Sequence, residues 1–214
     1  MLERLVPPAL EPVTLAEVYR QLRLDPFDSP PAHPDDPMLL LHIATARWDA
    51  EDATRRSFVQ QTLRLSGPSF HFDSPRMRWC GPGRSEWGVQ TIDLLRQPIS
   101  EIISVSYYDG ENVLAEIEPE DYFLAGSRLM FAQGFALPSV YMSRPDAVQV
   151  VYRAGYPPAN SPNDDYVSNV PPPIKQAILI GVQLLYDELT PEKRTQLEQT
   201  RDALLSAFVV HTIA

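Results

Sequence analysis

Apolar positions first recur at helical spacing near the N-terminus. Leu15, Val18 and Leu22 lie three and four residues apart, with Tyr19 beside them, and Thr14-Leu15-Ala16-Glu17 opens the run. That opening is a capping box, in which the Thr14 hydroxyl accepts an early helix N–H and Glu17 reaches back to the cap. Pro26 disfavours helix in the residue before it, so the helix is predicted to stop near Leu24-Asp25. Beyond a proline-rich loop over 27–35, a second helix is predicted from an Asp36 N-cap, with Pro37 at the first helical position, to about Ser57. Leu39, Leu40, Ile43, Ala44 and Ala46 form its apolar stripe, and Arg47, Asp49, Glu51, Asp52, Arg55 and Arg56 its wet side. Trp48 reads as a core or an interface anchor, with core favoured by its helical spacing.

The period then shifts towards two. Residues 59–65, 91–95, 102–108, 113–117, 122–124, 129–131 and 147–152 read as short strands rich in β-branched and aromatic residues. Asp109-Gly110 signals a hairpin turn between two of them. Residues 74–88 form a polar loop containing glycine and proline, and 156–173 a second proline-rich connector. Ile174 to Asp187 is apolar on nearly every side, which predicts a helix buried all round. Thr190-Pro191 opens a last helix as cap and first position, with Leu197, Ala203, Leu204, Leu205 and Phe208 on its apolar side. The tail 209–214 is apolar as well; whether it packs on its own domain or seeks a partner stays open.

These elements predict an α+β fold: a mainly helical bundle built from the N- and C-terminal helices, with a small antiparallel β-unit inserted. The expected segments are 1–58 (N-terminal helices), 59–156 (β-unit) and 157–214 (C-terminal helices and tail, same bundle). Proline shifts that picture towards stiff joints: there are 22 in 214 residues, about twice the usual share of roughly 5%.

Charge and chemistry narrow the function. A formal net charge of −10 argues against a DNA-gripping module, since DNA affinity comes mainly from Lys and Arg on phosphates. Cys80 stands alone, so neither a disulfide framework nor a CxxC motif exists. His33, His42, His71 and His211 make no HExxH or HxH pair. The glycines at 81, 83 and 88 do not fit a phosphate-binding loop, and Glu116, Glu118, Glu120 and Asp121 read as a solvated acidic turn. No secretory or membrane-spanning segment is expected, no metal or other cofactor is implied, and no enzyme activity is predicted. The one basic-aromatic stretch holds Arg76, Arg78, Trp79, Arg84 and Trp87; in so acidic a chain it points to protein contact.

Several segments taken in order resemble a known family. They are Glu11-Pro12-Val13-Thr14-Leu15-Ala16-Glu17 with Leu22-Arg23-Leu24-Asp25, Gln60-Gln61-Thr62-Leu63, Leu95-Arg96-Gln97-Pro98-Ile99, Val105-Ser106-Tyr107-Tyr108-Asp109-Gly110 and Asp121-Tyr122. Arg144-Pro145-Asp146-Ala147-Val148, Tyr152-Arg153-Ala154-Gly155-Tyr156 and Val170 to Ile178 continue the series. Over about 11–188 this set resembles the head-tail connector (adaptor) proteins of long-tailed phages, of the gp6-like and gp8-like type. The resemblance implies a structural, non-enzymatic subunit in a ring of copies, usually twelve, beneath the portal protein. Such a ring extends the DNA channel without binding DNA specifically and presents a platform for the next neck or tail-completion protein. It implies a place in the virion neck, with assembly in the host cytoplasm. A neck or tail-completion protein is the alternative, and a small hydrolase a more distant one. The expected portal or ring contacts are Phe208, Val209, Val210 and Ile213 of the tail, with Trp79, Trp87 and Arg84. The second helix and the helix 174–187 are expected to supply core and lateral contacts.

Overall fold

The computed structural model describes residues 1–24, 33–70, 91–157 and 169–210. The expectations for Cys80, the 74–88 loop, His71, most of the 156–173 connector and the tail beyond Val210 lie outside the described residues. The chain is α+β and divides into two compact units, 1–7 with 60–155 and 8–59 with 156–210.

The second of these is helical. Helix α1 (Leu15–Leu22) carries the complete capping box: Glu17 N donates to Thr14 Oγ1 at 3.2 Å, and Thr14 N to Glu17 Oε2 at 2.7 Å. Arg23 then turns into the left-handed region at φ 56°, which ends the helix before Pro26 is reached. Helix α2 (Asp36–Thr54) starts one residue earlier than its sequence suggests. Asp35 is the N-cap residue, Asp36 is already helical, and Pro37 is the second helical position. Asp35 makes no side-chain cap; its carboxylate accepts the Tyr186 hydroxyl at 2.8 Å, while that of Asp36 accepts the Tyr19 hydroxyl. These two acids fasten neighbouring helices instead of closing the end of their own. Arg55, left-handed at φ 56°, stops α2 three residues short of the expected Ser57.

Helix α3 (Pro172–Tyr186) buries Ile174, Ala177, Ile178, Ile180, Gly181, Val182 and Leu184. It is not buried all round, since Gln176 and Leu185 are exposed. Helix α4 (Pro191–Ser206) is capped by Thr190 as predicted and buries Leu205, with most of its surface left to water. The unit's core joins Val18 to Leu39, Ile43, Ala46, Ala50, Phe58, Ile174, Ile178 and Leu205. Helices α2 and α3 approach closely at Gly181, where a Cβ would stand 2.9 Å from the Cβ of Ala46.

Among the described residues the other unit holds eight strands. Strands β1 (Leu2–Val6), β2 (Gln61–Gly67), β4 (Ile99–Tyr108), β5 (Leu114–Glu116) and β8 (Val148–Ala154) form an antiparallel sheet in the order β1-β2-β8-β4-β5. Strands β3 (Thr91–Asp93), β7 (Arg128–Phe131) and β6 (Tyr122–Ala125) form a second, in the order β3-β7-β6. Central β8 alternates as a half-buried strand should: Val148, Val150, Tyr152 and Ala154 are buried, and Gln149, Val151 and Arg153 point to the other face. Its partners place Leu63 opposite Tyr152 and both Leu65 and Val105 opposite Val150. Strand β4 slips its register twice against β8, after Ile99 and after Ile102, which marks bulges in the longer strand. Strand β1 was not foreseen; two charges in five residues hide its period.

The hairpin signalled by Asp109-Gly110 forms between β4 and β5, through a loop longer than two residues. Asn112, not Gly110, takes the left-handed position at φ 64°. The Asp109 carboxylate accepts both Glu111 N and Val113 N at 2.9 Å, which closes a longer loop. Arg144 lies 3.6 Å from the centroid of the Tyr108 ring and chelates Asp146, so the segment before β8 is tied to the end of β4.

Gly181→Ala is expected to lower stability by about 1–3 kcal/mol in urea unfolding, because the added methyl has no room against Ala46. In an Ala46→Gly background the same change should become neutral or stabilising.

Candidate interface site

Two residues assigned to the wet side of α2 are buried instead. Arg47 is 7% exposed and Glu51 2%. Arg47 donates from Nε to Glu11 Oε2 at 2.7 Å, from Nη2 to Glu11 Oε1 at 3.2 Å, and from Nη1 to Glu51 Oε2 at 3.0 Å. Glu51 Oε1 also accepts Phe58 N at 2.7 Å. Burial works against the guanidinium charge, yet the Glu11 hydrogen bonds and the fields of Glu51 and Glu11 hold its pKa above the ordinary value. The result is a buried, hydrogen-bonded ion triad with a structural task.

The opposite error concerns Trp48, which is 55% exposed and not in the core. Leu41 is 64% exposed, and Met38 and Leu40 are also open. Around α2, Met38, Leu41, Thr45 and Trp48 follow one another at spacings of three and four, so they share one face. That face is opposite the one carrying Leu39, Ile43, Ala46 and Ala50. The helix is therefore apolar on two faces, and a single chain covers one of them.

The flank of the inner side of α2 forms the wall of a cleft within the helical unit. Its volume is about 240 Å³, and Ala46, Ala50 and Ala53 of α2 meet Gly181 and Leu184 of α3 and Leu205 of α4 there. Asp49, Arg194, Glu198 and Arg201 edge it. Arg194 Nη2 donates to Leu184 O at 3.1 Å, and its Nη1 lies 3.7 Å from Glu198. Small residues make the cleft: close approach at Gly181 leaves no side chain to fill the space along α4.

The predicted contact residues fall in two groups. Phe208, Val209 and Val210 are half-buried at the end of α4. Phe208 O accepts Arg56 Nε, and Val210 N donates to Thr54 O at 3.0 Å, so this part of the tail is laid against the end of α2. Trp79, Arg84, Trp87 and Ile213 lie outside the described residues. The acidic series is spread over β5 and the turn Pro119–Asp121. Among the described residues no group of three or more His, Cys, Asp or Glu could hold a metal ion, and no helix is long and apolar enough to cross a membrane. The sequence did carry a signal for the outer face of α2. Apolar residues at 38, 41 and 48 add to those at 39, 43, 46 and 50, which is more than one stripe can hold.

No family's sequence model matches the chain, and no curated protein sequence does. Solved structures do. A chain from the neck of an empty gene transfer agent particle, computed with C6 symmetry, superposes with a TM-score of 0.69 at 17% identity. The match covers 100% of this chain and 97% of that one. A chain from the virion of the native gene transfer agent particle gives 0.66 at 17% identity, over the same shares. One from the neck of the native particle, computed with C12 symmetry, gives 0.64 at 15%. The protein has the fold of these chains from end to end.

Arg47→Ala is expected to cost about 3–5 kcal/mol in urea unfolding, since it strands two carboxylates, one of them deeply buried. Glu198→Ala, which breaks an exposed pair, should cost no more than about 0.5 kcal/mol. The Tyr19 hydroxyl is pushed up to about 12 by its hydrogen bond to Asp36, with burial and the Asp36 charge adding to it. In the unfolded chain it titrates near 10. This contribution to stability is thus complete below about pH 10 and is lost as the pH rises towards 12. Denaturant midpoints measured across that range should fall less steeply for Tyr19→Phe than for the parent.

Proposed function

We propose that this protein is a head-tail connector (adaptor) subunit of a phage-like particle, a non-enzymatic component of a ring beneath the portal protein. The observation that carries the reading is the superposition of the whole chain, not of one piece, on chains from the neck and virion of gene transfer agent particles. The ordered segments resembling connector proteins lead to the same place by a separate route. The C6 and C12 symmetry of those necks supports a ring of copies, twelve in this proposal.

The physical features of the chain suit that role. A closed cyclic ring is built from heterologous contacts, so each copy must offer two different complementary faces. The outer face of α2 and the cleft behind it are two such faces. A net charge of −10 lets DNA pass through a lumen without sticking, because like charges repel. The connector would meet the portal on one side and the next neck or tail-completion protein on the other, and would be assembled in the host cytoplasm. The basic-aromatic stretch with Trp79, Arg84 and Trp87, and the tail with Phe208, Val209, Val210 and Ile213, are proposed as contacts to these partners.

Deleting the gene from the element that encodes it should leave filled or leaking heads beside separate tails in electron micrographs of lysates. Intact, tailed, infectious particles from the deletion would refute the connector role.

A further inference from the structure

The two unpartnered apolar features of α2 are suited to each other. Trp48 and Leu41 project from one side of the helix; Ala46, Ala50 and Ala53 line the cleft on another, roughly 140° away around an axis of 3.6 residues per turn. A knob and a hole on different sides of one helix cannot meet within a chain. Between copies they can meet head to tail, which is the kind of contact that propagates around a ring.

We propose that Trp48 of each copy inserts into the α2-α3-α4 cleft of its neighbour, with a second copy of this chain as the occupant. The inference rests on the ring reading above and names its lateral contact. Three observations select the occupant. The cleft, at about 240 Å³, falls below the roughly 300–1,000 Å³ of small-molecule pockets and is of the size of a side chain. Its alanine, glycine and leucine walls suit an indole ring, and Asp49 and Glu198 beside them can accept the indole N–H. The rim holds as many acids as bases, Asp49 and Glu198 with Arg194 and Arg201, so it sets no net charge against the approach of an equally acidic copy. Tryptophan anchored in a desolvated pocket with arginine at its border is the composition of an interface hot spot.

The experiment uses particles carrying the full-length chain in place of the deleted gene. In a Cys80→Ser background, Trp48→Cys and Ala53→Cys are combined and the particles are treated with a short bis-maleimide. Both sites are exposed, so melting curves of the purified variants should match the parent. The expected result is a ladder of covalent multimers of the chain, absent when either cysteine is used alone. Trp48→Ala, and Ala53→Arg to close the hole, should each reduce incorporation of the folded chain into particles on the order of 30-fold, as loss of a hot spot does. A chain present in necks that gives no ladder and tolerates both substitutions overturns the Trp48 contact and leaves the connector role standing. A parent chain missing from the neck altogether overturns both.

Discussion

The helical unit depends on one buried ion triad. Glu11, Arg47 and Glu51 come from the segment before α1 and from two successive turns of α2, and Glu51 also holds the backbone of Phe58. Through four hydrogen bonds the triad fixes how the chain enters α1, how α2 lies beneath that entry, and how the chain leaves α2. A buried charge pair gives little net stability compared with an apolar packing of the same volume. What it supplies is exclusivity: any other arrangement of these segments leaves a charge in the core without a partner. The left-handed Arg55 ends α2 between the two ends of this network, Glu51 and the Phe58 backbone N–H that it accepts.

With its inner face committed in this way, α2 leaves its outer side open to solvent. Helices of monomeric proteins usually put charge where water is; α2 puts Met38, Leu41 and Trp48 there. It also meets α3 at the Gly181–Ala46 approach, where the lack of side chains opens the cleft. Close packing of α2 on α3 uses small residues on one flank, and the bulky apolar Met38, Leu41 and Trp48 stand on the opposite flank.

Much of the fold was legible in the sequence because local chemistry decided it. The capping box at Thr14, the Thr190-Pro191 start of α4 and the alternation of β8 need no tertiary information to be read. The α+β class follows from the change of period near residue 60. The misreadings on α2 share one physical origin: spacing along a helix shows which residues share a face, but not which face meets the core. Arg47 and Glu51 carry charge and so were read as wet; their partner, Glu11, lies 36 residues from Arg47 in sequence and is invisible to periodicity. Trp48 is large and apolar and so was read as core; on a helix with two apolar faces that inference has no basis. The hairpin at Asp109-Gly110 was legible because the turn residue Asp109 closes it locally, accepting the backbone N–H groups of Glu111 and Val113. Strand β1 was missed because its register comes from β2, sixty residues away, and not from its own pattern.

In the proposed ring, acidity and apolar contact oppose each other usefully. Free copies with a charge of −10 repel, and one side chain in a cleft of 240 Å³ is a small contact to set against that repulsion. Pairs in solution would therefore dissociate readily. On a symmetric template each copy is held by the template and by two neighbours, and the second and third contacts form at the high effective concentration that the first provides. Weak lateral pairing combined with strong like charge thus favours assembly on a docking surface over assembly in solution, which is where a connector is needed. Strengthening the Trp48 contact would undo that order by allowing rings to close before any portal is present.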